Sequence, residues 1–201
     1  MDWLEALILG IVQGLTEFLP VSSSGHLVIA QNFLGLKEPE LLFDAMVHLG
    51  TLVAVLVVFR KDIMHIGRAL RQGLVNLKAK QGLKQTVTLD PHFKLALFVI
   101  TGTIPTVLIG VLFKDAFEAA FGSIAWTGVM LLITGGLLWV AERIPVGERG
   151  MREMSIVDTL LIGVMQGLAI APGISRSGST IACALYRKIN RDLAVRYDAI
   201  L

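Results

Sequence analysis

Glu17 is a carboxylate inside an otherwise apolar run, and Gln13 precedes it by four residues, so a helix through both sets them on one face. Just beyond it, Ser22-Ser23-Ser24-Gly25 offers hydroxyls and backbone N–H groups where a new helix can start. Ser175-Arg176-Ser177-Gly178 offers the same with a guanidinium added. The first turn of a helix binds anions, phosphate above all, through unsatisfied N–H groups and the positive end of its dipole. Arg176 contributes a planar fork that suits phosphate oxygens. His26 comes directly after the first serine cluster, and histidine transfers protons near neutral pH. A carboxylate, a histidine, hydroxyls and an arginine around two anion-binding helix starts point to chemistry on a phosphate ester or diphosphate. A Glu17–Arg176 ion pair that only locks two segments together is the structural alternative, and it does not exclude catalysis.

Composition says where this chemistry takes place. Hydrophobic residues make up 54% of the 201, charged residues 17%, and the mean hydropathy is +0.71. A soluble domain of this length carries far more charged surface, so the excess apolar surface faces lipid. The expected fold class is an all-α integral membrane protein, and the phosphate belongs to a lipid. The single cysteine, Cys183, excludes an internal disulfide and a multi-cysteine metal site and reads as a small buried apolar residue. The N-terminus has no basic leader region and its apolar stretch ends in Pro20 and serines, so it does not read as a removed signal peptide.

Residues 41–59, 95–113 and 124–141 are each close to the ~20 apolar residues that a spanning helix needs. Residues 7–35 and 156–186 are apolar at both ends but broken in the middle, at Leu19-Pro20-Val21-Ser22 and at Pro172-Gly173-Ile174-Ser175. Proline and glycine interrupt a helix, and serine caps the next half-helix. In lipid the freed backbone groups must be buried in protein or line a wet cavity, so both segments are expected to be re-entrant hairpins. Within the first span Asp44 and His48 are four apart and share an interior face, either as a satisfied buried hydrogen bond or as part of the site. Thr101, Thr103 and Pro105 are expected to kink the second span.

Residues 60–94 hold eight Lys/Arg against two Asp, with Ile63, Ile66, Leu70, Leu74 and Leu77 recurring every three or four positions. That pattern suits an amphipathic helix on the cytoplasmic membrane surface; a nucleic-acid patch lacks its aromatic residues here. With this segment in the cytoplasm, inside segments carry 15 of the 18 Lys/Arg, leaving Lys37 and Lys114 outside and Arg176 within a hairpin. The positive-inside rule is thereby met.

In this topology the first broken segment starts and finishes outside and the second inside. Yet Gly10 to Gly25 and the residues 153 positions later are identical at seven of sixteen pairs, and Phe43-Asp44-Ala45 echoes Tyr197-Asp198-Ala199. Similar sequence with opposite orientation marks an inverted-topology repeat. The whole of 1–201 reads as one membrane domain, with repeat one at 1–141, the start of repeat two at 156–201, and roughly 70–90 residues of further C-terminal spans expected from the repeat.

Gln13-Gly14-Leu15-Thr16-Glu17-Phe18-Leu19-Pro20-Val21-Ser22-Ser23-Ser24-Gly25-His26 resembles the (Glu/Gln)-x-x-x-Glu motif and following Ser-Gly-His of the undecaprenyl-diphosphate phosphatase family, the bacitracin-resistance type. Pro172-Gly173-Ile174-Ser175-Arg176-Ser177-Gly178-Ser179-Thr180 is similar to its Pro-Gly-x-Ser-Arg-Ser-x-x-Thr motif. The resemblance covers essentially the whole chain, although the tail from Arg196 to Leu201 drifts from the family's Phe-Ser-Phe-rich continuation. It implies hydrolysis of undecaprenyl diphosphate to the monophosphate and inorganic phosphate, which recycles the lipid carrier of cell-wall synthesis. It implies a divalent cation, Mg²⁺ or Ca²⁺, and a head group reached from the outer side of the bacterial cytoplasmic (inner) membrane. By position Glu17, Ser23, His26 and Arg176 match its catalytic residues, with Gln13 and Glu17 toward the metal. Ser22, Ser24, Gly25, Ser175, Ser177, Gly178 and Thr180 are the expected substrate-binding set. The motifs leave open whether Ser23, His26 or a water attacks phosphorus. The expected partners are the polyprenyl diphosphate and membrane lipids, with no nucleic acid; a homodimer is left open.

Two rivals share parts of this pattern. Type-2 phosphatidic acid phosphatases also use Ser-Gly-His and Ser-Arg, but they need a second histidine after the arginine, and no histidine occurs beyond His92. A transporter, flipping a lipid phosphate or carrying an anion, shares the broken-helix inverted repeat, but that argument rests on architecture alone.

Overall fold

The computed structural model describes residues 1–36, 40–78, 90–145 and 147–201. Lys37 and residues 79–89 of the basic segment therefore lie outside the described residues.

Asp2 and Glu5 form a capping box that starts α1 (Trp3–Thr16). The helix fails over the six residues before α2 (Ser23–Phe33), where Pro20 supplies no N–H and Ser22 caps the restart, its Oγ accepting from the Gly25 amide at 3.3 Å. Ser22 takes φ 67°, a left-handed conformation that costs a serine of order 1–3 kcal/mol and puts stored strain at the break. The second broken segment has the same plan. A Ser155–Asp158 capping box opens α8 (Ile156–Leu168), and Ser175 caps α9 (Arg176–Tyr186) through the Gly178 amide at 3.1 Å. Each pair, α1 with α2 and α8 with α9, folds back on itself as a packed hairpin.

Between the hairpins lie α3 (Leu41–Val58), α4 (Arg60–Lys78), α5 (Pro91–Leu112), α6 (Lys114–Phe121) and α7 (Ile124–Glu142), and α10 (Arg191–Ile200) comes after α9. Helices α5 and α7 are long and apolar enough to cross a membrane. Leu42–Val58 of α3 makes a further candidate with Arg60–Asn76 of α4, from which it is bent by 75°. Large apolar side chains such as Val58, Leu112 and Leu132 are exposed along these helices, as lipid contact requires. Helix α5 runs unbroken through Pro105. The apolar side of α4 rests partly on protein, since Ala69 is buried and Gly73 lies against the Phe93 ring.

Helices α5 and α8 approach through small and hydroxylated residues, the packing that holds helices together where lipid is as apolar as the side chains. Thr106 donates to the Gly163 carbonyl at 2.9 Å, Thr101 and Thr159 hydroxyls meet at 3.2 Å, and Tyr197 of α10 donates to the Phe98 carbonyl at 2.8 Å. A Cβ on Gly163 would lie 1.9 Å from the Gly102 carbonyl oxygen, a backbone atom that cannot swing away. Gly163→Ala is therefore expected to cost about 1–3 kcal/mol by overpacking, whereas Gly128→Ala, with open space around it, is not. Thermal melts of both variants in detergent check this; equal melting temperatures would contradict the packing.

Asp158, fully buried, accepts from Arg149 at 2.7 Å and Arg187 at 2.6 Å while capping α8. Two of the cations that the sequence assigns to membrane orientation thus also clamp the base of the second hairpin. The echo between Asp44 and Asp198 is structural too. Asp44 of α3 accepts from Gln31 of α2 at 2.7 Å, and Asp198 of α10 accepts from Thr180 of α9 at 2.5 Å. Each carboxylate fastens a half-helix to the next helix in the chain.

Candidate functional site

The two breaks touch. A Cβ on Gly25 would come within 2.9 Å of the Gly173 Cα, and one on Gly178 within 3.2 Å of the Pro20 carbonyl. Gly173 and Pro20 are themselves counterparts at the offset of 153, so each half-helix start seats reciprocally on the other hairpin's break. Gly173 takes φ +96°, and Thr134 of α7 stitches its loop by donating to the Gly173 carbonyl at 2.8 Å and accepting from the Ser175 amide at 3.0 Å. These bonds satisfy backbone groups that lipid could not.

A cavity of about 460 Å³ opens where the breaks meet, lined by Glu17, Ser22, Ser23, Ser24, Ser175, Arg176 and Ser177 together with Asp44, His48, Thr106 and Gln166. Among the described residues none accepts from the amides of Ser23, Ser24, Arg176 or Ser177. Two helix starts thus bring free N–H groups and their dipoles to one cavity, an arrangement that suits an anion.

Glu17 is the hub. Its Oε2 accepts from Ser23 Oγ at 2.5 Å and from Gln13 Nε2 at 2.8 Å, and its Oε1 lies 3.4 Å from Arg176 Nη2. Gln13 is 1% exposed; because its amide N–H₂ must face the carboxylate, its Oε1 is left buried without a partner. Gln166, its counterpart in the second hairpin, also has a buried Oε1 without a partner. His48 Nδ1 donates to the Asp44 carbonyl at 2.7 Å, which turns Nε2 toward Glu17 Oε2 at 3.6 Å.

Glu17, Ser23, Arg176, Gln13 and the four other serines thus come together, but four expected residues stand elsewhere. His26 does not line the cavity: its Nδ1 is drawn back onto the Ser22 carbonyl at 2.8 Å. Thr180 is buried one turn inside α9, its hydroxyl committed to Asp198. Gly25 and Gly178 are buried contacts between hairpins, and their amides are taken by the capping serines. Conversely, Asp44 and His48 line the cavity while also making buried hydrogen bonds, so the two readings of this pair are compatible. Gln166 had a signal in the sequence, its identity with Gln13 across the repeat; Thr106 had none.

The family profile described as "Bacitracin resistance protein BacA" matches residues 6–201. The undecaprenyl-diphosphatase of Desulforapulum autotrophicum is 45% identical over 201 residues, covering 100% of this chain and 73% of that protein. That of Carboxydothermus hydrogenoformans is 47% identical over 201 residues, with 100% and 69% covered, and that of Alkaliphilus metalliredigens 44% over 202, with 100% and 72%.

Proposed function

The chain belongs to the bacitracin resistance protein BacA family, and on that footing we propose that it is an undecaprenyl-diphosphatase, hydrolysing undecaprenyl diphosphate to undecaprenyl phosphate and inorganic phosphate. Such an enzyme returns a lipid carrier to cell-wall synthesis, and its substrate is a polyprenyl diphosphate held in the membrane. The observation that carries the reading is the bond from Ser23 Oγ to Glu17 Oε2, with Arg176 against the other carboxylate oxygen.

A nucleophile hydrogen-bonded to a base that is itself oriented by a third group is the arrangement for covalent catalysis. Gln13 is that third group. Ser23 Oγ attacks the terminal phosphorus, its proton passes to Glu17, and the bond to the bridging oxygen breaks, releasing undecaprenyl phosphate. Water then attacks the phosphoserine, both water protons leave on the departing phosphate as dihydrogen phosphate, and Glu17 returns its proton to Ser23 Oγ as the bond from that oxygen to phosphorus breaks. The free amides at both helix starts and the Arg176 fork stabilise the charge on the equatorial oxygens. His26, bonded to the carbonyl of the residue before Ser23, positions that turn.

A divalent cation, Mg²⁺ or Ca²⁺, fits these donors. Such ions are held by one or two carboxylates together with substrate phosphates, and Glu17, which lines the cavity, would hold one, with Gln13 orienting that carboxylate through its Nε2. It would neutralise charge on the diphosphate. A chelator is expected to stop phosphate release, and millimolar Mg²⁺ or Ca²⁺ to restore it; undiminished release would contradict the assignment. The re-entrant form of the hairpins, and a cavity opening to the outer side of the bacterial cytoplasmic membrane, are supported by the distribution of Lys and Arg.

Undecaprenyl diphosphate labelled at its terminal phosphate tests the reading. Purified protein should release labelled phosphate and, on rapid acid quench, carry label on Ser23. Release without a covalent adduct would favour attack by water, and head-group translocation without release would favour a carrier.

A further inference from the structure

The cavity walls are related by the repeat, but not completely. Among the lining residues Ser22 pairs with Ser175 and Ser24 with Ser177, while Ser23 faces Arg176 as its counterpart; Gln166 lines the cavity, whereas its counterpart Gln13 is buried against Glu17. The carboxylate has no such partner: the counterpart of Glu17 is Ile170, and both line the cavity. Ile170 is half-buried, its Cδ1 so close to Gly110 of α5 that a Cβ on the glycine would meet it at 3.0 Å. Ile174, on the far side of the same break, and Phe121 at the end of α6 continue an apolar lining.

We propose that this apolar wall is where the prenyl chain leaves the head-group site, with the first isoprene unit against Ile170 and Ile174. The inference rests on the diphosphatase reading. Membrane lipid is as apolar as an isoleucine, so the wall does not draw the chain in by hydrophobicity. Its effect is permissive and directional. A chain lying on Ile170 covers an uncharged side chain, whereas one passing the Glu17 wall would desolvate a carboxylate already committed to Ser23 and Arg176. The substrate is thereby admitted in one orientation, with the phosphate farthest from its chain presented to Ser23. The broken symmetry of the repeat becomes the polarity of the bound lipid.

Ile170→Asn tests this against two substrates, farnesyl diphosphate and methyl diphosphate, which share a head group and differ in the chain. The ratio of their kcat/KM values, farnesyl over methyl, is expected to fall about tenfold, the scale on which an apolar pocket discriminates, and Ile170→Leu should restore it. Should the Asn variant fail to fold, Ile174→Asn is read in the same way. An unchanged ratio, including a parallel loss on both substrates, would overturn the chain path and leave the diphosphatase reading standing. Release of phosphate from neither substrate by the unaltered protein would overturn that reading, and the chain path with it.

Discussion

Arg176→Ala is expected to lower kcat/KM for undecaprenyl diphosphate by about 10³-fold, the scale on which a positioned arginine acts in phosphoryl transfer. Among the described residues that line the cavity Arg176 is the one Lys or Arg side chain, and it enters at the first position of α9, where the helix dipole adds to its field. The loss should come without a loss of fold. Its side chain is 60% exposed and its pairing with Glu17 is long, so the ion pair contributes little to stability. The amide at the helix start is kept by alanine. Arg176→Lys restores the charge but not the planar fork, and is expected to recover only part of the rate. Steady-state phosphate release and a thermal melt on the same preparations check both halves. A variant that melts normally and turns over normally would remove Arg176 from the chemistry.

Glu17→Gln is the second large effect. The substitution keeps the shape of the side chain but removes the base, and general-base contributions are of order 10²–10⁴. It also sets a second amide against Gln13 Nε2, which now donates to the carboxylate. We expect kcat to fall by about 10³-fold and the labelled phosphoserine to disappear on quench, because Ser23 Oγ loses the oxygen that takes its proton. Quench-flow with terminally labelled substrate reads this directly. A Gln variant that still accumulates phosphoserine at the normal rate would assign the proton to another group, and His48, whose Nε2 faces the same oxygen, would be the first to test.

The features legible in the sequence were those that leave a local signature. Pro20 and Gly173 cannot continue a helix, serines cap the half-helices beyond them, and a seven-in-sixteen identity across 153 residues reveals two copies of one device. These imply the breaks, and the four-residue spacing sets Gln13 and Glu17 on one face; the Glu17–Arg176 pairing, which the sequence offers only as an alternative reading, is present as a long contact. The illegible features depend on which acceptor wins when several are in reach. His26 turns its Nδ1 to a backbone carbonyl, and Thr180 gives its one hydroxyl proton to Asp198, a carboxylate eighteen residues away in sequence. Gly25 and Gly178 fit the pattern of an anion nest, yet they are small because another hairpin's backbone lies against them. Thr134, which holds the second break closed, sits in an apolar helix with nothing near it in sequence to mark it. Such partners come from tertiary packing, and a single sequence does not state them.

Whether the two hairpins form one phosphate site is measured most directly by a double-mutant cycle on Glu17 and Arg176. Groups that act together on one transition state lose their effect together, whereas groups at separate sites lose it multiplicatively. If each single substitution costs about 10³-fold in kcat/KM, the Glu17→Gln, Arg176→Ala double variant should lose little more than either alone. A loss equal to the product of the two, near 10⁶-fold on the same scale, would mean that the breaks act apart and that no common site joins them.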